Sequence, residues 1–500
     1  MDAPIRALLE PLGEIADLSR AGAMLAWDER TQMPPRGAGV RAEQLATLTR
    51  IAHERLVADE LGQAIEAAAA SLDGAAEDSF EASLVRVARR DWEKARRVPA
   101  ELAAEIARVT SISEHAWAEA REQSDFAAFL PHLERVIDLQ RRYIDCFDVE
   151  HPYDALLDDY EPGMRTVELA EVLRRLREGL VPLVEAIAAS DVEVDDSPLY
   201  GEFDAERQAA LARELAAALP LEPGAWRLDT TVHPFATSSG VSDVRITTRF
   251  DPQYVGSSLW AVIHECGHAL YHNGIDPQLE RTPLCRSVSL GFDESQSRMW
   301  ENWVGRGRPF LRYLVPMLAR HFPHEFASLQ PEVLYRAANR VRPSLIRVEA
   351  DEVTYNLHVA LRFELEVALF EEKLTPAELP EAWNAKTKEL LGIDVPDDAA
   401  GVLQDVHWPS GAFGYFPTYS LGNVIAGQVW NLARQALPDL DEQLAGGELN
   451  PLRDFLGERI YAHGGKFEPA EMIERVVGGP LDPEPLLTQL REKFGELYAL

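Results

Sequence analysis

The chain has 500 residues, of which 46% are hydrophobic and 26% charged, enough to bury a large core. Its formal net charge of −34 makes nucleic acid and anionic membrane surfaces poor partners. No uninterrupted apolar run approaches the ~20 residues of a membrane span, and the three cysteines, Cys146, Cys266 and Cys285, have no framework spacing, which fits a reducing cytoplasm.

The first residues, MDAPIRALLEPLGEIADL, lack a basic region followed by an apolar core, so no signal peptide is expected. From Ile5 to about Ala188 the pattern is helical almost throughout, with residues 42–55, 79–97, 100–122 and 167–180 as clear examples. Residues 27–35, WDERTQMPP, break that pattern and read as a loop. Residues 192–200 are acidic and turn-rich and mark a boundary between helices. In residues 228–250, Val244, Ile246 and Thr248 alternate with Arg245, Thr247 and Arg249 after a Ser- and Gly-bearing turn. That is the signature of a short β-hairpin. An edge strand at this point suits an extended peptide substrate.

Residues 260–274 read WAVIHECGHALYHNG, and Ser257 or Ser258 is the expected N-cap with Gly274 as the C-terminal stop. Trp260, Ile263, His264, Gly267, His268 and Tyr271 follow helical spacing. His264 and His268 therefore lie one turn apart on one face, where both imidazoles can reach a single metal ion. Glu265 follows the first histidine and is placed to take a proton from water. A hydrolytic zinc site takes three protein ligands. Residues 291–303 read as the next helix and supply Glu294, 26 residues past His268. Asp293 is its nearest competitor, and Glu301 lies about two turns further on.

Residues 346–370 contain no Gly or Pro and read as one long helix. On a wheel, Arg347, Asp351, Tyr355, His358 and Arg362 share an arc of about 80° and form a polar stripe suited to a water-filled cleft. An ion pair between Arg347 and Asp351 is the plainer use of that stripe. Residues 380–391 form another helix with proline in its first turn. Residues 404–423, rich in Gly, Pro and aromatics, read mostly as loop. They carry His407, Tyr415 and Tyr419, donors that a developing oxyanion needs. The remaining residues return to helices separated by Pro438, Pro451, Pro469 and Pro480.

These motifs fall in a specific order: WDERTQMP with RAEQL, HPF at 233–235, DVRITTR at 243–249, HECGHALY, ESQSRMWEN at 294–302, IRVEADEVTYNLH at 346–358, and QDVHW with GYFPTYSLG. Over nearly its whole length the chain resembles the carboxypeptidase Taq (M32) family of metallocarboxypeptidases. The resemblance implies a mainly α, large helical peptidase with a long substrate groove and a small β-hairpin or sheet beside the HExxH helix. It implies one unit over residues 1–500, with helices of 1–190 covering the groove and 191–500 catalytic. It implies Zn2+, or Co2+ or another divalent metal, held by His264, His268 and Glu294, with Glu265 as general base. His407, Tyr415 and Tyr419 complete the expected catalytic set. Arg347 is expected to bind the substrate's terminal carboxylate, with His233 and Asp351 also on the substrate side. The implied protein is a cytoplasmic homodimer that releases single amino acids from peptide C-termini.

Two other functions compete with this one. An endo-acting oligopeptidase of the thimet type shares the HExxH motif, the helical groove and the Tyr-rich loop; Arg347 separates the two. A non-catalytic peptide-binding scaffold would not need an intact HExxH and Glu294. One position departs from the family pattern, which has histidine immediately before the glutamate ligand. Asp293 stands there instead, next to a ligand, where it is expected to retune metal preference without abolishing activity.

Overall fold

Prolines and short polar caps punctuate this sequence into helices, and the computed structural model, which describes residues 2–500, is built from them almost entirely. The chain groups into two compact units. The first comprises Met1–Arg96, Asp195–Ala338 and Val429–Gly479; the second comprises Arg97–Val194, Asn339–Gln428 and Pro480–Leu500. Among the described residues, no helix is long and apolar enough to cross a membrane.

In the first unit, the opening helix runs Ala3–Thr31, five residues into the segment expected to be loop. Trp27 explains the extension. It is buried, and the guanidinium groups of Arg245 and Arg227 lie 4.4 and 4.9 Å from its ring centroid. Tertiary burial holds the turn in helix until Pro34 and Pro35 stop it.

The first unit also holds three strands: β1 Trp226–Thr230, β2 Ala236–Gly240 and β3 Asp243–Thr248. β2 and β3 form the expected antiparallel hairpin, with Val244 and Ile246 fully buried. β1 was not expected as a strand. It pairs parallel to β3 and makes β3 the centre of a β1-β3-β2 sheet. Its five residues are half-buried or exposed, so hydrophobic alternation gives only a weak signal there.

The HExxH helix spans Gly256–Gly274, and neither expected terminus works as anticipated. The Ser258 hydroxyl donates to Gln208 Oε1 at 3.0 Å and to the Val255 carbonyl, so it is a buried donor and not a cap. Gly274 is the last helical residue, and a Cβ there would lie 2.6 Å from the Tyr461 side chain. Glycine serves close packing at that point, not a left-handed turn.

In the second unit, the helix expected from residue 346 begins only at Tyr355. Arg347–Glu349 form a separate 3₁₀ turn. Between them the Asp351 carboxylate accepts the backbone N–H groups of Arg342, Val353 and Thr354 and the Thr354 hydroxyl. Such a side-chain-to-backbone turn competes with helix and wins here. The loop from 404 likewise ends early, because the helix Pro417–Ala436 opens with proline at its first position. Tyr419 is therefore helical, whereas His407 and Tyr415 stand on the loop.

Candidate active site

The first unit brings His264, His268 and Glu294 together, with one potential ligand atom from each lying within 4.8 Å of the others. The histidines occupy successive turns of Gly256–Gly274, and Glu294 sits on the helix Leu290–Arg298. Gly267 lets the two helices meet. A Cβ at that position would fall 2.5 Å from Ser297 Cα and 2.7 Å from the Gln296 carbonyl oxygen. Any side chain would separate the backbones and withdraw Glu294 from the imidazoles.

A ring of partners orients these side chains. His264 Nδ1 lies 3.0 Å from Glu301 Oε2, and His268 Nδ1 lies 3.0 Å from Asp293 Oδ1. Donating from Nδ1 leaves each Nε2 with its lone pair, and these nitrogens stand 3.6 and 3.4 Å from Glu294 Oε2. Two imidazole nitrogens and a carboxylate oxygen are a donor set that fits zinc and similar divalent ions. Glu294 is itself fixed by Arg298 Nε, 2.6 Å from Oε1, and by the Ser297 hydroxyl. His272 Nε2 approaches the other Asp293 oxygen at 3.4 Å.

The helix that carries Glu294 widens into a π-helical stretch over Met299–Gly305. That turn presents Glu301 to His264, and Arg306 Nη2 holds it at 2.7 Å. Burial alone would raise all these carboxyls, but neighbouring basic side chains reverse the outcome at three of them. Arg298 and His264 hold Glu294 well below the usual carboxylate range; His268 and His272 do so for Asp293, and Arg306 and His264 for Glu301. Glu265 differs: burial dominates and pushes its carboxyl up, which gives it the higher proton affinity a base requires.

The second unit carries the other expected residues. Arg347 is buried, with Nε and Nη2 donating to Asp405 Oδ1 at 3.1 and 2.9 Å and Nη1 donating to the Tyr355 hydroxyl at 3.0 Å. Arg362, fully buried, donates from Nε to the other Asp405 oxygen at 2.7 Å and from Nη2 to Gln404 Oε1 at 2.8 Å. Two guanidinium groups therefore share one carboxylate, and the cluster keeps an excess positive charge. Asp351 is not the partner of Arg347, since its carboxylate is committed to its own turn.

His407 Nε2 lies 3.2 Å from the Tyr419 hydroxyl, and its ring packs on Phe416 and Tyr415 with centroids 4.3 and 5.2 Å away. Its Nδ1 is buried with no hydrogen-bond partner among the described residues. Burial, opposed by Asp405 and reinforced by both arginines, pulls His407 down to about 3, so the imidazole is neutral at working pH. His358 is pulled to about 3 by burial and Arg362. His233 is exposed on the connection between β1 and β2. Asp405, Gln404 and His272 were not anticipated, and Glu301 was noted as a position on its helix but not as the partner of His264. Glu301 stood seven residues past Glu294 and His272 four past His268, spacings that place each on the ligand face.

The family model for carboxypeptidase Taq (M32) metallopeptidases matches residues 7–494. The chain is 42% identical over 507 residues to thermostable carboxypeptidase 1 of Thermus thermophilus, covering 99% of each. It is 37% identical over 490 residues to carboxypeptidase 1 of Bacillus subtilis, covering 98% of this chain and 97% of the relative. Among solved structures, the M32 carboxypeptidase of Deinococcus radiodurans R1 superposes with a TM-score of 0.96 at 39% identity, over 100% of both chains.

Proposed function

The chain belongs to the carboxypeptidase Taq (M32) metallopeptidase family, and on that premise we propose how its residues divide the work of a metallocarboxypeptidase. The observation that carries the reading is the triad His264, His268 and Glu294, whose imidazoles are each backed by a carboxylate, beside a buried Glu265. Zinc, or cobalt or another divalent ion, held by that triad supplies Lewis acidity and makes nearby water a usable nucleophile at neutral pH.

Glu265 accepts the proton of the attacking water and later delivers it to the leaving amine. Its raised proton affinity suits both transfers. His407, with Tyr415 and Tyr419, donates hydrogen bonds to the carbonyl oxygen as charge develops there. The neutral imidazole of His407 keeps one N–H for this contact. Arg347 anchors the substrate's free carboxylate. Three of its five N–H groups are engaged, which leaves two for a bidentate contact. Asp351 shapes the turn that presents Tyr355 to Arg347, and His233 offers an exposed imidazole to the peptide.

The chemistry is thus removal of one C-terminal residue at a time. The excess positive charge around Asp405 supports that over endo-cleavage, and the relatives are named carboxypeptidases. Three free cysteines support residence in a reducing cytoplasm, and a homodimer is the assembly proposed from family resemblance. Metal analysis of the purified protein, with mass spectrometry of free and C-terminally amidated peptides after digestion, tests the reading. It predicts stoichiometric divalent metal and ladders of single-residue losses from free peptides only. Internal fragments from both peptide forms would contradict it.

A further inference from the structure

The proposed chemistry leaves a fully buried acid unused. Glu366 lies fully buried on the helix Tyr355–Phe370, one turn beyond Arg362. Its Oε1 accepts the Trp408 indole N–H at 2.7 Å. Its Oε2 accepts the Tyr153 hydroxyl at 2.6 Å and the Gly414 backbone N–H at 3.0 Å. Trp408 directly follows His407, and Gly414 directly precedes Tyr415. One carboxylate therefore grips the loop beside both proposed oxyanion donors.

The surroundings are built for this grip. Gly414 has φ +86°, and a Cβ there would sit 2.6 Å from the Leu156 carbonyl oxygen, so only glycine can bring its N–H to Glu366. Tyr153 is fully buried and packs edge-on against Phe363, with ring centroids 5.5 Å apart. One turn earlier Arg362 holds Gln404 and Asp405 at the start of the same loop. The helix thus fixes the loop at two points, by a cation before His407 and by an anion after it.

We infer that Glu366 is a positioning residue for the reaction, its carboxylate setting where His407 and Tyr415 stand by holding Trp408 and Gly414. The inference rests on the proposed role of that loop. The indole and the backbone amide can only donate, so the partner must accept at both oxygens. Glutamine offers one accepting oxygen and turns its NH2 group against a donor.

The test uses the full-length, metal-loaded enzyme on a peptide with a free C-terminus, reading kcat, KM, metal content and melting temperature. Glu366→Gln should lower kcat about 10- to 100-fold, the scale of a misplaced catalytic group, with KM and metal content nearly unchanged. Tyr153→Phe removes a donor outside the loop and should leave kcat within about twofold. His407→Phe serves as the control for the loop's role and should lose turnover. A folded Glu366→Gln enzyme with wild-type kcat, beside an inactive His407→Phe, overturns the inference alone. Wild-type turnover in His407→Phe overturns the loop's proposed role and the inference with it. If Glu366→Gln does not fold, Trp408→Phe replaces it: reduced kcat at unchanged KM supports the inference, and wild-type kcat overturns it.

Discussion

The two polar clusters of this protein are electrical opposites built by the same method. In the first unit Glu265, Asp293, Glu294 and Glu301 gather around two imidazoles, with Arg298 and Arg306 behind them. In the second, Arg347 and Arg362 close on a single carboxylate, Asp405. One arrangement suits a cation and the other an anion. In each, the groups proposed to meet the ligand are oriented by a further layer of opposite charge, because a buried charge without a partner is too costly to keep. The proposed metallocarboxypeptidase reaction would use both signs, a divalent metal for the scissile bond and a positive anchor for the terminal carboxylate.

The comparison breaks most completely if the proposed metal ligands are wrong. Replacing His264, His268 or Glu294 with alanine removes one of three protein ligands, so bound metal and activity should vanish together. Full metal occupancy in Glu294→Ala would move the third ligand elsewhere, with Asp293 the first candidate. Glu265→Gln should keep the metal and lose at least about 10²-fold in kcat; near-normal turnover would remove Glu265 as the base. A smaller effect should follow in the outer layer. Asp293→Asn and Glu301→Gln should each weaken metal affinity about 10- to 100-fold, measured by competition with a chelator. Unchanged affinity in both would mean that the carboxylate layer supports the fold and not the metal.

These two clusters also differ in how openly the sequence announces them. His264 and His268 declare themselves by helical spacing alone, and Glu294 needs only the next helix. Glu301 was visible as a position but not as a partner of His264, because a π-helical turn decides where it points. The arginine cluster depends on Asp405, 58 residues from Arg347, and no local period encodes that pairing. The 346–370 segment misled for a related reason. Its composition suits helix throughout, yet Asp351 diverts the backbone into a turn and delays the helix to Tyr355. Trp27 shows the reverse: local pattern favoured loop, and burial against Arg245 kept helix.

The weakest expected signal in the second unit is a slope rather than a loss. Burial, opposed by Tyr153, Gly414, Trp408 and Arg362, lifts Glu366 from an ordinary 4.5 to about 7. The folded chain then keeps a proton between pH 4.5 and 7 that the unfolded chain has released. The stability from this group is full below pH 4.5 and is lost as pH rises through 7. Tyr153 and Tyr160 are shifted upward and stay neutral in this window. Urea unfolding between pH 5 and 8 should show wild type losing at most a few kcal/mol relative to Glu366→Gln. Parallel pH profiles for the two proteins would contradict the shift. Turnover should move the other way, because the ionised carboxylate is the form that accepts the Trp408 and Gly414 donors at both oxygens.

The positive anchor is the claim on which exopeptidase action turns, and Arg347→Ala measured on paired free and amidated peptides tests it most directly. Losing one partner of a buried charge contact should cost roughly 2–5 kcal/mol in kcat/KM for free peptides. Amidated peptides never carried the carboxylate; wild type should cleave them poorly, and the variant should change little. The ratio between the two substrates corrects for any general weakening caused by leaving Asp405 to Arg362 alone. A collapse of that ratio is the predicted result; equal losses on both peptides would contradict the account and detach Arg347 from the substrate.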